Sequence, residues 1–337
     1  MTHPVLPTAP LGTDGPLVGV QGLGCMGMSE FYGPTDSDEA RATLDAALEA
    51  GVTLFDTADM YGHGRNEEFL APFVRANRDR VVIATKFAID RSEEDPSRRA
   101  IRNDPEYIRT AVEGSLRRLG VETIDLYYMH RRDPAVPLAD SVGAMAELVK
   151  AGKVRRLGLS EVTGAELREA HAVHPIAAVQ SEWSVFARDV ERSAVPAAAE
   201  LGVAFVPYSP LGRGFLTGAF QDAATLTAGD FRRSSPRYTG ENAVANGELL
   251  TPLREIAAAH DATLAQVALA WVQQRAQVHG LTVVPIPGTR KRSRLAENTG
   301  AVALRLSTEE LALLEPLAGR VAGERYADMS NTSVGRE

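Results

Sequence analysis

The sequence predicts an α/β chain folded as a single-domain (β/α)8 (TIM) barrel. Three observations carry that expectation: eight short apolar runs along the chain, helical periodicity between them, and no Gly/Ser-rich linker or composition shift dividing the 337 residues. The runs are residues 17–24, 52–56, 81–86, 124–130, 154–160, 176–181, 203–209 and 281–287. They are apolar almost throughout, as strands are when both faces of a parallel sheet are covered.

The helices between them have readable ends. In the first, Thr35 is the expected N-cap, Asp38 lies in the first turn, Leu44, Ala47 and Leu48 share a face, and Gly51 follows the end. Asp104-Pro105 opens another, with Ile108, Val112, Leu116 and Leu119 inward and Gly120 closing it. Leu138, Val142, Met145 and Val149 repeat the pattern before Gly152. One connection breaks the rhythm. Residues 209–247 carry Gly, Pro, Arg and Asn without apolar periodicity, and loops that long in a compact domain are usually lids or binding loops.

Composition narrows the partners. Thirty-six Lys and Arg against 44 Asp and Glu leave a net charge of −8, which disfavours nucleic acid or an anionic membrane. The single cysteine, Cys25, excludes an intramolecular disulfide and suits a reducing compartment. Residues 1–16 lack an apolar signal region, and no stretch approaches the roughly 20 apolar residues of a membrane span, so a cytoplasmic location is expected.

Gly22-Leu23-Gly24-Cys25-Met26-Gly27 matches the G-x-G-x-x-G pattern of dinucleotide-binding turns. Such a turn enters a helix at once, whereas here Gly33 and Pro34 intervene and the helix begins near Thr35. The glycines are expected instead to permit a tight turn or a close approach. His171 and His174 have helical spacing but no acidic or cysteine partner at zinc-like spacing, so no metal site is expected.

The stronger signal lies at the strand ends, where barrels of this kind hold their chemistry. Successive apolar runs end in Asp56, Lys86 and His130, and later ones in Ser160, Gln180 and Tyr208; Tyr61 follows Asp56 by five residues. Each alone has an ordinary structural role. Together, three ionisable groups at neighbouring strand tops are costly to bury unless they pair and perturb one another, as catalytic groups do.

The motifs around them are Phe55-Asp56-Thr57-Ala58-Asp59-Met60-Tyr61-Gly62, Ala84-Thr85-Lys86 and Tyr128-Met129-His130-Arg131, with spacings of 5, 25 and 44 between the four residues. With residues 24–29, 158–161, 208–214 and 286–290, this set resembles the aldo-keto reductase superfamily over roughly residues 17–317. It is most similar to the branch of pyridoxal and perakine reductases, and more distantly to the potassium-channel β-subunits.

The resemblance implies a barrel with an N-terminal β-hairpin and long active-site loops, reducing a small-molecule aldehyde or ketone with NADPH. Tyr61 would be the general acid, Lys86 would lower its pKa by roughly 1–3 units if in direct contact, Asp56 would hold Lys86, and His130 would bond the carbonyl oxygen. Tyr208 would stack on the nicotinamide, and Ser160 and Gln180 would bond its carboxamide. Glu161 stands where many members have Asn. Ser209, Leu211, Gly212 and Arg213 would follow the pyrophosphate, with Gly24, Met26 and Asp56 also beside the cofactor. Gly288, Thr289, Arg290 and Arg294, in a run with four basic residues in five positions, would take the 2′-phosphate, and Glu297 and Asn298 the adenine.

Cys25 is expected as a buried filler. Arg131, Arg132, residues 231–238 and the tail 323–337 are candidates for the substrate pocket, and Trp183 and Tyr32 are candidates for the pocket or equally for the core. Two alternatives remain at this stage: a nicotinamide-binding redox sensor of the channel β-subunit type, and an unrelated barrel with phosphate-dependent chemistry, which leaves Asp56, Tyr61, Lys86 and His130 unexplained.

Overall fold

In a computed structural model, residues 5–91 and 99–337 are described; residues 1–4, part of the expected N-terminal segment, and 92–98 lie outside the described residues. Strands β1 (Thr8–Pro10) and β2 (Leu17–Gly19) form the N-terminal antiparallel hairpin. The barrel strands are β3 (Leu23–Gly24), β4 (Leu54–Asp56) and β5 (Val82–Phe87). A second hairpin, β6 (Ile89–Arg91) and β7 (Arg99–Ile101), follows; β8 (Ile124–Met129), β9 (Val154–Ser160), β10 (Ile176–Glu182) and β11 (Ala204–Tyr208) complete the sheet. Seven strands run parallel in the order β11-β10-β9-β8-β5-β4-β3.

The expected last strand, residues 281–287, is present as an extended segment rather than a continuous ladder. It bonds one wall through Phe205 N to Thr282 O (2.8 Å), Val284 N to Phe205 O (2.9 Å) and Ile286 N to Pro207 O (3.0 Å). On the other side Gly22 N donates to Pro285 O (2.9 Å), closing the barrel. Pro285 and Pro287 have no N–H to donate, which interrupts the ladder.

Two apolar layers follow from strand alternation. Leu54, Ala84, Leu126, Tyr128, Ala178, Ala204, Val206, Val284 and Ile286 fill the barrel interior, and Leu11 and Val18 of the hairpin segment join them. Phe55, Ile83, Tyr127 and Met129, of the opposite parity, meet Leu44, Leu48, Ile108, Val112 and Met145 of the surrounding helices. Gly158 is required where it stands: a Cβ there would lie 2.4 Å from the Tyr128 ring.

The first helix is Ser37–Glu49, and its cap is Asp36, which accepts from the amides of Asp38 (3.0 Å) and Glu39 (3.2 Å). Thr35 does not cap it because its hydroxyl donates to Gly27 O. Asp104 caps the helix Pro105–Leu119 as expected. Segment 209–247 is less bare than its sequence suggests, with short helical turns at Gly212–Thr217, Ala223–Thr225, Phe231–Ser234 and Pro236–Tyr238 before the helix Gly240–Glu248. Among the described residues no helix is long and apolar enough to cross a membrane.

The glycines of the G-x-G-x-x-G match serve strand closure. A Cβ on Gly22 would meet Ile286 Cγ2 at 2.9 Å, and one on Gly24 would meet Ile286 O at 3.0 Å.

Candidate active site

Asp56, Lys86, Ser160, Gln180 and Tyr208 continue the inward parity of their strands, so each rises from the apolar interior at the same end of the barrel. His130 follows β8 with the same parity, and its amide donates to Phe87 O (2.9 Å). Beyond three strand ends the next residue takes the left-handed region: Ala88 (φ 110°), Glu161 (φ 52°) and Ser209 (φ 48°). These turns swing the chain off the rim, and strain of this kind concentrates at functional sites.

The Lys86 ammonium has no exposed side-chain surface; it pairs with Asp56 Oδ1 and donates to Thr57 O at 2.7 Å. The other Asp56 oxygen accepts from Gln180 Nε2 (2.9 Å). Tyr61 lies on the loop beyond β4, edge-on to His130 with ring centroids 5.9 Å apart, and Lys86 Nζ is 5.4 Å from its ring centroid. Glu30 accepts from Gly62 N (2.8 Å) and from Arg91, which also donates to Met60 O (3.0 Å); together they hold the Tyr61 loop. All four expected catalytic residues therefore converge, with Met26 packed beside Tyr61.

The electrostatics depart from the expected phenol in one respect. Burial, and then the Asp56 carboxylate, push Tyr61 well above its ordinary pKa. The Lys86 ammonium, bonded to Asp56 and Thr57, does not offset this rise. Burial lowers Lys86 against the pull of Asp56. Burial, with the charges of Arg131 and Lys86, also lowers His130 well below its usual range, and its Nδ1 has no hydrogen-bond partner among the described residues. At neutral pH the site thus presents a protonated phenol and a neutral imidazole.

Of the other expected residues, Ser160 accepts from Arg131 Nη1 (3.3 Å), and Tyr208 donates to Glu161 Oε1 (2.7 Å). Ser209, Gly212 and Arg213 all have positive φ, and with Leu211 they form the turn leaving β11. Gly288 is exposed beyond the last barrel segment, Thr289 is half-buried, and Glu297 and Asn298 lie on the helix Arg292–Gly300. Arg290, expected at a phosphate, also holds a loop. Its guanidinium donates to Gly27 O (2.9 Å), Gly33 O (3.0 Å), Thr35 Oγ1 (2.8 Å) and Tyr32 O (2.8 Å), which makes it the anchor of the 27–35 loop. Arg292 pairs with Glu39 (2.8 Å). Lys291 and Arg294 are exposed, with no ion pair among the described residues.

Comparison with known proteins gives the family. The profile of the aldo/keto reductase family matches residues 22–318. The chain belongs to the aldo/keto reductase family. Solved structures similar to it include glycerol dehydrogenase from Gluconobacter oxydans, 26% identical with a TM-score of 0.80, covering 96% of this chain and 98% of that one. An aldo/keto reductase from Klebsiella pneumoniae, in complex with NADP and acetate, is 27% identical with a TM-score of 0.70, covering 96% and 99%. An aldo-keto reductase from Bacillus halodurans in its holo form is 27% identical with a TM-score of 0.73, covering 96% and 100%. Its family makes this chain an oxidoreductase of carbonyl compounds.

The chain also holds a buried cluster beside Tyr208; sequence reading placed the tail 323–337 near the pocket but missed its pairing with Glu161. Glu161 accepts from Tyr208, from Arg325 (3.0 and 3.3 Å) and from Ser333 N (3.1 Å). Burial alone would raise its carboxyl, but the charges of Arg325 and Arg131 outweigh that and hold it at about 2. Glu182 lies 3.6 Å from Arg213 and 3.9 Å from Arg325. Tyr326, next along the tail, accepts from Arg213 and lies 3.2 Å from the Tyr208 hydroxyl. Glu182 was readable, since it keeps the parity of Gln180; the tail residues, 164 positions from Glu161, carried no local signal.

Among the expected pocket residues, Phe231 sits 5.8 Å from Phe31, which is 6.5 Å from Tyr61, and Tyr32 is edge-on to Phe231 at 5.6 Å. Tyr238 and Trp183 are core instead, packed on Phe215 and Phe205. Arg132 donates to Asp133 O and is buried. Cys25 is a buried thiol raised by burial, which makes it inert. The described residues hold no cluster suited to a metal.

Proposed function

We propose that this chain reduces aldehydes or ketones with NADPH, with Tyr61 as the proton donor. The observation that carries the reading is a protonated, buried phenol set between a buried ammonium and a neutral imidazole. Carbonyl reduction needs a hydride at carbon and a proton at oxygen, and NADPH supplies the hydride when bound. His130, uncharged, keeps one N–H to orient the carbonyl oxygen. Tyr61 gives that oxygen its proton. As the phenol loses it, the Lys86 charge becomes worth more, so Lys86 favours the transition state over the ground state. Asp56 keeps the ammonium charged despite its burial.

The residues present fit this cofactor. Ser160, Gln180 and Tyr208 would hold the nicotinamide, Ser209–Arg213 the pyrophosphate, and Glu297 with Asn298 the adenine. The helix Arg292–Gly300 has no side-chain N-cap, and exposed Lys291 and Arg294 flank its start. With Thr289 they would take the 2′-phosphate, favouring NADPH over NADH.

The test follows nicotinamide absorbance with pyridoxal, 4-nitrobenzaldehyde and methylglyoxal. Tyr61→Phe should lose roughly 10²- to 10⁴-fold in turnover while still binding NADPH. Unchanged turnover would remove Tyr61 from its role, and tight NADPH binding without any turnover would favour a redox sensor.

A further inference from the structure

Arg131 feels the Glu161 charge without bonding to it, because that carboxylate is paired with Arg325. Arg131 follows His130 directly, and its Nη1 donates to His130 O (2.7 Å) and to Ser160 Oγ (3.3 Å). Those bonds fix the fork at the reacting end of the pocket. Among the described residues its Nε and Nη2 make no hydrogen bond and no carboxylate lies within ion-pair distance. The neighbouring carboxylates are already committed: Glu161 to Arg325, Glu30 to Arg91, and Glu182 faces Arg213 and Arg325. The charge of Arg131 acts on Tyr61, His130 and Lys86 alike.

A half-buried guanidinium has lost part of its hydration, and it regains most from an anion. The free pair, Nε and Nη2, forms one edge of the planar fork, and that edge matches the two oxygens of a carboxylate.

We infer that the substrate is an aldehyde or ketone that also bears a carboxylate, and that Arg131 binds this carboxylate side-on through Nε and Nη2. The inference rests on the reading of Tyr61 and His130 as the groups that meet the carbonyl.

The test compares 4-carboxybenzaldehyde with methyl 4-formylbenzoate, alike in shape but differing in charge. The wild type should prefer the carboxylate in kcat/KM by roughly ten- to hundredfold. In Arg131→Gln that ratio should fall to about one, and in Arg131→Lys part of it should survive, because Lys keeps the charge and loses the fork. A wild type without preference, or a ratio unchanged in Arg131→Gln, would overturn the inference. Calorimetry reads binding without turnover: terephthalate should bind the NADP+-loaded wild type and weaken roughly tenfold or more in Arg131→Gln. If neither aldehyde is reduced, the proposed reductase activity fails, while the terephthalate titration still decides the role of Arg131.

Discussion

At the residue scale the site is governed by burial, which sets the protonation of each group. His130 is pushed down by burial and by Arg131 and Lys86, and so it stays neutral through the range where a free histidine, with a pKa of about 6.5, would titrate. Tyr61 is pushed up, and its acid form persists to higher pH than a free phenol's. The pH profile of carbonyl reduction should therefore show no inflection near 6.5 and decline only on the alkaline side; a break at the histidine value would show that the imidazole titrates during turnover. Arg290 and Arg294 separate in the same way. Arg290 gives four hydrogen bonds to oxygens of the 27–35 loop, so Arg290→Ala should weaken NADPH and NADH alike by loosening that loop. Arg294→Ala should weaken NADPH by about 5- to 20-fold and leave NADH nearly unchanged, since only one cofactor carries the extra phosphate. Fluorescence titrations of both cofactors check this, and equal losses in Arg294→Ala would contradict it.

At the element scale the barrel strands act as rulers. Alternation sends Val82, Ala84 and Lys86, or Leu126, Tyr128 and then His130, to one side, and the apolar members at the bottom force the polar ones to the top of the same file. Tyr128 fills the interior because β9 offers Gly158 opposite it. Gly158→Ala would place a methyl 2.4 Å from the ring, where packed neighbours prevent retreat, and should cost about 1–3 kcal/mol in chemical denaturation. A variant as stable as the parent would mean that the strand shifts freely. Parity and motif made Asp56, Lys86, His130, Ser160, Gln180 and Tyr208 legible. The cap at Asp36 was misread by one residue, because Thr35 is equally suited by type and only its contact with Gly27 takes it out of competition.

At the scale of the whole molecule the C-terminal tail completes the site. Arg325, Tyr326 and Ser333 reach Glu161, Tyr208 and Arg213, joining the end of the chain to the tops of β9 and β11. The Glu161 carboxyl, held at about 2 against an ordinary value of 4.5, contributes about 3 kcal/mol, fully present above pH 4.5 and lost as pH falls towards 2. Glu161→Gln should therefore be less stable than the parent at pH 7 and converge with it as pH is lowered through that window, which acid denaturation followed by circular dichroism measures. Parallel curves at every pH would remove Glu161 as the cause. The sequence by itself determined the (β/α)8 class, the parity of the strands and the six polar residues at their ends, because period-2 alternation and local motifs act over a few residues. Only the tertiary structure decided that Arg290 staples a loop, that prolines break the last strand's ladder, and that Arg325 and Tyr326 close on Glu161 and Tyr208. Those outcomes depend on which distant partner the fold brings to a donor or a charge, and composition and spacing carry no record of that competition.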